Sequence, residues 1–343
     1  MSTYRVGIIG CGSKHPNGQW GGIAQLHAYG YQRCRKTRIV ACADINLESG
    51  ERFAEMHHAP GVYTDYKKML KREQLDLVSV CVWPALHAEM TVAAARANVK
   101  GILCEKPMAI NLPEADRMLR ACDQHGVALS INHQRRLSPT FIAAKKLAKS
   151  GLIGPIRRLE GVCDNIYDWG THWLDMMRFF NDDVDADWVL AGLDARNHRQ
   201  VFRAYVDDQA VALIHFTNGV LGVLYTGNIG ALGGASNRIE GAEGFVDVRS
   251  EAQPVRALTA KKGWVIPDVP NQVHGAEAFA ESVKDLVRAV ERGTRPALDG
   301  RHGRATLEII LAIMESSRRR ARVDLPLKVK DNPLQSMIEA GMV

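Results

Sequence analysis

The chain is 343 residues long, room for about two cores, with 46% hydrophobic and 24% charged residues. That composition excludes a disordered or fibrous protein, and no apolar stretch approaches the ~20 residues that a bilayer span needs. Lys and Arg number 44 against 38 Asp and Glu, and part of the excess sits in Arg318, Arg319, Arg320 and Arg322. Those four read as the solvated end of a helix, where cations suit the dipole; no nucleic-acid-binding motif accompanies them.

The segment Arg5-Val6-Gly7-Ile8-Ile9-Gly10 reads as a strand entering a turn, not as a signal peptide. Short apolar runs at 6–9, 39–43, 77–82, Gly101–Cys104 and 128–132 follow the pattern of buried strands, with helical periodicity between them at 89–96 and 113–125. Such alternation predicts a parallel sheet covered by helices. The style changes near Asn132. Helical patterns at 139–150 and 171–180 precede alternating runs at Gln209–Phe216 and 220–225, joined through Asn218-Gly219, a hairpin signal. Long helical patterns at 276–292 and 301–321 close the chain. The expectation is an α/β protein: a Rossmann-type dinucleotide domain over 1–131, then an α/β domain over 132–343 with a large, mostly antiparallel open sheet. Seven cysteines lack metal-ligand spacing, and Cys42, Cys81 and Cys104 fall in apolar runs, which suits free thiols in the cytoplasm.

Gly10-Cys11-Gly12 directly follows the first strand. Glycine there allows a tight turn and close approach to a pyrophosphate at the next helix's N-terminus. Ala24 fills the third small position if residues 14–22, which include Pro16, Gly18 and Trp20, are an insertion. Asp44 lies 20 residues after Ala24, near the ~20-residue interval to a ribose-binding acid. A carboxylate there accepts both ribose hydroxyls and repels a 2′-phosphate, which favours NAD over NADP. The bland alternative is a plain strand-to-helix turn.

Glu105-Lys106-Pro107 ends another strand, with a backbone that proline holds extended, in either isomer. Asp168 and His172 are four residues apart, one helical face, with Asp175 three further on. A carboxylate beside imidazole suits a general base. On spacing alone the stronger reading is that Asp168 caps a helix starting near Thr171. A metal site from Asp168, His172 and Asp175 is a weaker alternative, and the expectation is no metal.

These segments in their order resemble the glucose–fructose oxidoreductase/inositol dehydrogenase (Gfo/Idh/MocA) family. The resemblance rests on Gly10-Cys11-Gly12, Asp44, Pro84-Ala85-Leu86-His87, Glu105-Lys106-Pro107, Asn132-His133-Gln134-Arg135-Arg136, Asp168-Trp169-Gly170-Thr171-His172 and Gly241-Ala242-Glu243-Gly244. It implies Lys106, Asp168 and His172 as catalytic residues, reversing the capping reading. It further implies cofactor contacts from Gly10, Gly12, Ser13, Ala24, Asp44, Pro84, His87, Glu105 and Lys106. Candidate substrate contacts are Trp83, His133, Arg135, Trp169 and His172, where an aromatic face suits a sugar ring and Arg135 suits a hydroxyl or carboxylate. The expected function is NAD(P)-dependent hydride transfer at a carbinol carbon of a sugar, inositol or glycoside, by a homodimer or homotetramer without nucleic-acid or membrane partners. The rivals are a redox-neutral NAD-dependent glycosidase or lyase and a non-catalytic dinucleotide sensor.

Overall fold

The structure, a computed structural model, describes residues 3–14, 20–228 and 236–343. Of the proposed insertion at 14–22, residues 15–19, including Pro16 and Gly18, lie outside the described residues; Ser13 and Lys14 pair with Gly21 and Trp20 as a two-residue ladder. The chain divides into two compact units, one comprising Met1–Ala109, Pro113–Gln134 and Ala276–Arg301, the other Ile110–Leu112, Arg135–Gly275 and His302–Val343.

The first unit is built from β1 (Tyr4–Ile9), α1 (Ile23–Gln32), β2 (Thr37–Ala43), α2 (Leu47–His57), β3 (Gly61–Tyr63), α3 (Tyr66–Arg72), β4 (Leu77–Val80), α4 (Pro84–Arg96), β5 (Gly101–Cys104), α5 (Leu112–His125) and β6 (Ala128–Ile131). Its six strands lie in the order β3-β2-β1-β4-β5-β6, and every neighbouring pair is parallel. Val6, Ile8, Leu77, Val78, Ile102 and Leu103 are fully buried, as continuous apolar runs in a doubly covered sheet must be. The order reverses between β1 and β4, and ligands of such sheets bind beyond the strands' carboxyl ends at this reversal. Gly10, Asp44, the Trp83-Pro84 turn and Glu105-Lys106 all leave strands at those ends. Helices α2 and α3, which the apolar pattern does not single out, begin at Asn46 and Asp65, whose side chains accept from Ser49 N (3.4 Å) and Lys67 N (2.9 Å).

The second unit holds α6 (Pro139–Lys149), β7 (Ile156–Cys163), α7 (Gly170–Phe180), β8 (Ala186–Asp194), β9 (Gln209–Phe216), β10 (Leu221–Thr226), β11 (Asn237–Gly241), β12 (Gly244–Val248), β13 (Val255–Thr259), β14 (Gly263–Val265) and, near the C-terminus, β15 (Val323–Asp324). Nine strands form one sheet in the order β14-β13-β12-β11-β7-β10-β9-β8-β15. It is mixed: β7 and β10 run parallel, and the other pairs are antiparallel. The Asn218-Gly219 hairpin joins β9 to β10, with Gly219 at φ 83°. Ala210, Ala212, Ile214 and Phe216 of β9 are buried, while Val211 and Leu190 on the opposite face are 46% exposed.

Helix α8 (Glu277–Arg292) groups with the first unit, although a single cut after residue 131 assigns it to the second. Its Val283, Leu286 and Val287 share a buried cluster with Val6, Ile8, Ala28, Tyr31 and Leu103. Gly30 permits α1 to lie close against it, since a Cβ there would stand 2.8 Å from Phe279 O. No local pattern announces a return across so many residues. A last long helix, α9 (Gly300–Arg319), ends in the arginine cluster, where Arg318 pairs with Glu315 and Asp331, Arg319 with Glu315, and Arg322 with Asp324. Among the described residues no helix is long and apolar enough to cross a membrane.

If α8 completes the first core, Leu286→Ala, at a fully buried position, should destabilise the protein by about 2–5 kcal/mol in urea unfolding. A cost under ~1 kcal/mol would place the helix outside that core.

Candidate active site

In the first unit the turn after β1 is shaped by what its glycines lack. Gly10 and Gly12 sit at φ 86° and 88°. A Cβ would fall 2.5 Å from Cys81 O at Gly10 and 2.1 Å from Gly21 O at Gly12. Gly22, at φ 133° and immediately before α1, would place a Cβ 2.9 Å from Gly12 Cα. Ala24 instead faces inward, 1% exposed, in the cluster beneath the turn. Ala24 thus packs as a small residue between α1 and β1, and Gly22 adds a second close approach of backbone within the turn. Asp44 closes the arrangement from β2: Oδ2 accepts from Cys11 N at 2.8 Å and Oδ1 from Asn46 N at 2.9 Å. Ser13 is exposed beside this turn.

At the end of β4, Trp83 is 40% exposed in front of α4 and Pro84 takes its first helical position. His87, one turn in, is fully buried with Nδ1 2.9 Å from Pro107 O and Nε2 3.0 Å from Val82 O. Burial pulls its pKa below the ordinary range against the pull of these carbonyls. A neutral ring carries one N–H and donates to one of these carbonyls, with the other carbonyl close against its second nitrogen, so the side chain lies between the β4 exit and the Lys106-Pro107 segment. The Lys106-Pro107 bond is cis. Glu105 is 5% exposed, and its carboxylate meets His27, Asn132 and the Lys106 N–H. His133, 2% exposed, belongs to the same unit.

The second unit carries the remaining candidates. Helix α7 begins at Gly170, with Trp169 in the preceding position and no side-chain cap there. Asn165 ties the turn that leads into α7: its Oδ1 accepts from Asp168 N at 2.7 Å and Trp169 N at 3.4 Å, and its backbone O accepts from Gly170 N at 2.8 Å. Asp207, fully buried, supports this turn by accepting from Ile166 N at 2.7 Å and Thr226 Oγ1 at 2.5 Å. Asp168 and His172 are 7% and 4% exposed. Asp175, by contrast, is committed to Arg136 through a bidentate pair of 2.8 and 2.9 Å, and Arg136 reaches on to Asp183 at 2.7 Å. Burial opposes the charge on Arg136, yet these two carboxylates hold its pKa above the ordinary value. Asp175 is therefore taken up by structure, and no group of three or more His, Cys, Asp or Glu suited to a metal occurs among the described residues.

Arg135 stacks on Trp173 with its Cζ 4.2 Å from the ring centroid, and donates to His274 Nδ1 at 3.3 Å. Burial pulls the guanidinium down to about 9, which leaves it cationic at neutral pH. Trp169, 40% exposed, meets His274 edge-on at 5.9 Å and lies 5.8 Å from Arg135. Trp169 and Arg135 thus come together with Trp173 and with His274, a neighbour that the sequence did not point to. Lys106 and His133 belong to the first unit, and Arg135, Asp168, Trp169 and His172 to the second.

A parallel sheet in dinucleotide order, a glycine turn backed by an acid, and a second unit with a large mixed sheet define a dinucleotide-dependent oxidoreductase of the two-unit class. The chain belongs to the GFO/IDH/MocA family: residues 4–133 match its "Oxidoreductase family, NAD-binding Rossmann fold" model and residues 165–247 its C-terminal domain model. It is 25% identical to myo-inositol 2-dehydrogenase of Thermotoga maritima, across 94% of this chain and 98% of that protein. A 2,7-anhydro-N-acetylneuraminate hydratase of Mediterraneibacter gnavus is 35% identical over 35% of this chain and 31% of its own length. The fold matches levoglucosan dehydrogenase, solved in complex with NADH, with a TM-score of 0.81 at 21% identity, covering 95% of this chain and all of that one.

Removing Arg136 takes both guanidinium bonds, and their charge, from the buried Asp175 carboxylate. Arg136→Met should accordingly cost about 3–5 kcal/mol in denaturant unfolding. A loss under ~1 kcal/mol would show that Asp175 is not held as the geometry indicates.

Proposed function

We propose that this protein oxidises a carbinol carbon of a sugar, inositol or related polyol, with NAD as the hydride acceptor. The observation that carries the reading is Asp44, whose carboxylate is locked to the glycine turn through Cys11 N at 2.8 Å. The turn fits a dinucleotide, since Gly10, Gly12 and Gly22 leave backbone bare where a Cβ would collide, and donors at the start of a helix favour a pyrophosphate. Asp44 favours a ribose with free hydroxyls over one bearing a 2′-phosphate, hence NAD over NADP. When bound, the nicotinamide supplies the redox chemistry. The chain's own residues supply the rest. His172 takes the proton from the substrate hydroxyl, Asp168 favours the tautomer and charge this requires, and Lys106 stabilises the oxygen as negative charge develops on it. Trp169 and Arg135 offer an aromatic face and a cation to a polyhydroxylated ring.

The matched hydratase keeps a second reading open, redox-neutral chemistry on a glycoside or anhydrosugar. The sheet face bearing Leu190, Val211, Leu213, Val223 and Tyr225, which pair as Leu190–Leu213, Leu213–Val223 and Val211–Tyr225, supports a homodimer or homotetramer with this face covered. The seven free cysteines are consistent with a cytoplasmic location.

Nicotinamide absorbance with NAD⁺ and NADP⁺ over inositols, aldoses, sugar acids and glycosides tests the reading. Reduction of NAD⁺ by one class is expected, whereas silence across the panel despite tight cofactor binding would favour the redox-neutral alternative. Lys106→Met should lower kcat by roughly 10²–10³-fold with NAD affinity nearly unchanged, and equal losses in both would remove Lys106 from the chemistry. Leu190→Lys should lower the mass measured by light scattering; an unaltered mass would locate the interface elsewhere.

A further inference from the structure

A buried polar chain runs beneath the strand ends of the first unit. Tyr31 OH lies 2.9 Å from Ser79 Oγ, Ser79 Oγ 2.9 Å from His27 Nδ1, and His27 Nε2 2.7 Å from Glu105 Oε1. Asn132 Nδ2 donates to the same Oε1 at 2.7 Å, and Lys106 N donates to Oε2 at 3.1 Å. His27, Ser79 and Asn132 have no exposure, Tyr31 has 1% and Glu105 5%. With the His27 proton on Nε2 every hydrogen in the chain has a direction. Tyr31 donates to Ser79, Ser79 to Nδ1, and Nε2–H to the carboxylate, so three donors converge on Glu105 and none is wasted. Asn132 gives its amide nitrogen to this cluster while its Oδ1, also buried, finds no hydrogen-bond partner in the structure. Leaving that acceptor unmet is costly, so the amide is oriented by its donation to Glu105. The chain ends inward at Tyr31, inside the hydrophobic cluster. It therefore offers no route by which a proton could reach solvent, and its use is to hold something still.

We propose that His27, Ser79 and Asn132 are positioning residues for Lys106, acting through Glu105, whose carboxylate fixes the backbone from which the lysine ammonium is presented. This rests on the role given to Lys106 above. The carboxylate is well suited to it: burial alone would raise the Glu105 pKa, but the His27 hydrogen bond, the Lys106 charge and the Asn132 amide bring it below the ordinary value. Glu105 thus remains an acceptor-only anion, able to take several N–H donors at once.

The test compares two replacements of His27 in the NAD⁺-bound protein. Gln places an amide N–H where Nε2–H stands, and Leu keeps volume without a donor. Lysines carrying reductively added ¹³C-methyl groups are observed by NMR, with the Lys106 resonance assigned by its loss in Lys106→Arg. We expect that resonance to stay in place in His27→Gln and to shift or broaden in His27→Leu and Glu105→Gln. With the best substrate of the panel, His27→Leu should lower kcat by roughly 10–100-fold at nearly constant KM. In a Lys106→Met background the same change should cost less than about threefold. An unmoved Lys106 resonance in a folded His27→Leu protein, or equal loss of turnover in both backgrounds, overturns the proposal. If Lys106→Met alone retains full kcat, the role of Lys106 falls, and the resonance still decides whether His27 positions it. Should His27→Leu not fold, Ser79→Ala, which removes only the hydroxyl facing Nδ1, carries the same comparison.

Discussion

The first unit depends on a place where backbone meets backbone with no side chain between. Gly12 lies against Gly21 and Gly22 so closely that a single methyl group would stand 2.1 Å from a carbonyl oxygen. That contact sets where α1 starts and how its first turn faces the end of β1. Asp44 then fastens the turn from the neighbouring strand through Cys11 N. The group that would choose between two dinucleotides is thus also a structural brace. In the proposed role it would meet a ribose already oriented, with little freedom left to lose on binding.

A division of labour among similar residues runs through both units. Asp168 and Asp175 share a helical spacing with His172, yet Asp175 is neutralised by the Arg136 fork, while Asn165 braces the turn before α7 by accepting from Asp168 N. Arg135 and Arg136 are adjacent and part in the same way: one joins two carboxylates, the other lies on an indole beside His274. In the first unit, His27 and His87 are both buried, the one beside a carboxylate and the other between two backbone carbonyls.

The strands of the dinucleotide sheet were legible because a doubly covered parallel sheet writes itself as continuous apolar runs. Gly101–Cys104 and the Gln209–Phe216 hairpin arm coincide with the observed strands. Helices α2 and α3 were overlooked although Asn46 and Asp65 announce them, because their apolar faces are narrow. The return of α8 was not legible, since its partners lie at the other end of the chain and its periodicity says only that it is buried somewhere. At the site, the glycine turn and Asp44 could be read from spacing. Gly22 was hidden by the insertion before it, and His27 looked like one more residue of an amphipathic helix. A histidine on the buried face of that helix, with an acid ending a nearby strand, was the available signal.

Hydride transfer to the nicotinamide is the central claim, and isotope placement tests it most directly. A polyol substrate deuterated at its reacting carbon would be incubated with the protein and NAD⁺, and the cofactor recovered for mass spectrometry and NMR. The account predicts NADH carrying one deuterium at C4, accumulating in step with the oxidised product. Product formed while the cofactor remains unlabelled NAD⁺ would contradict it, and would mean that any redox step is reversed before release.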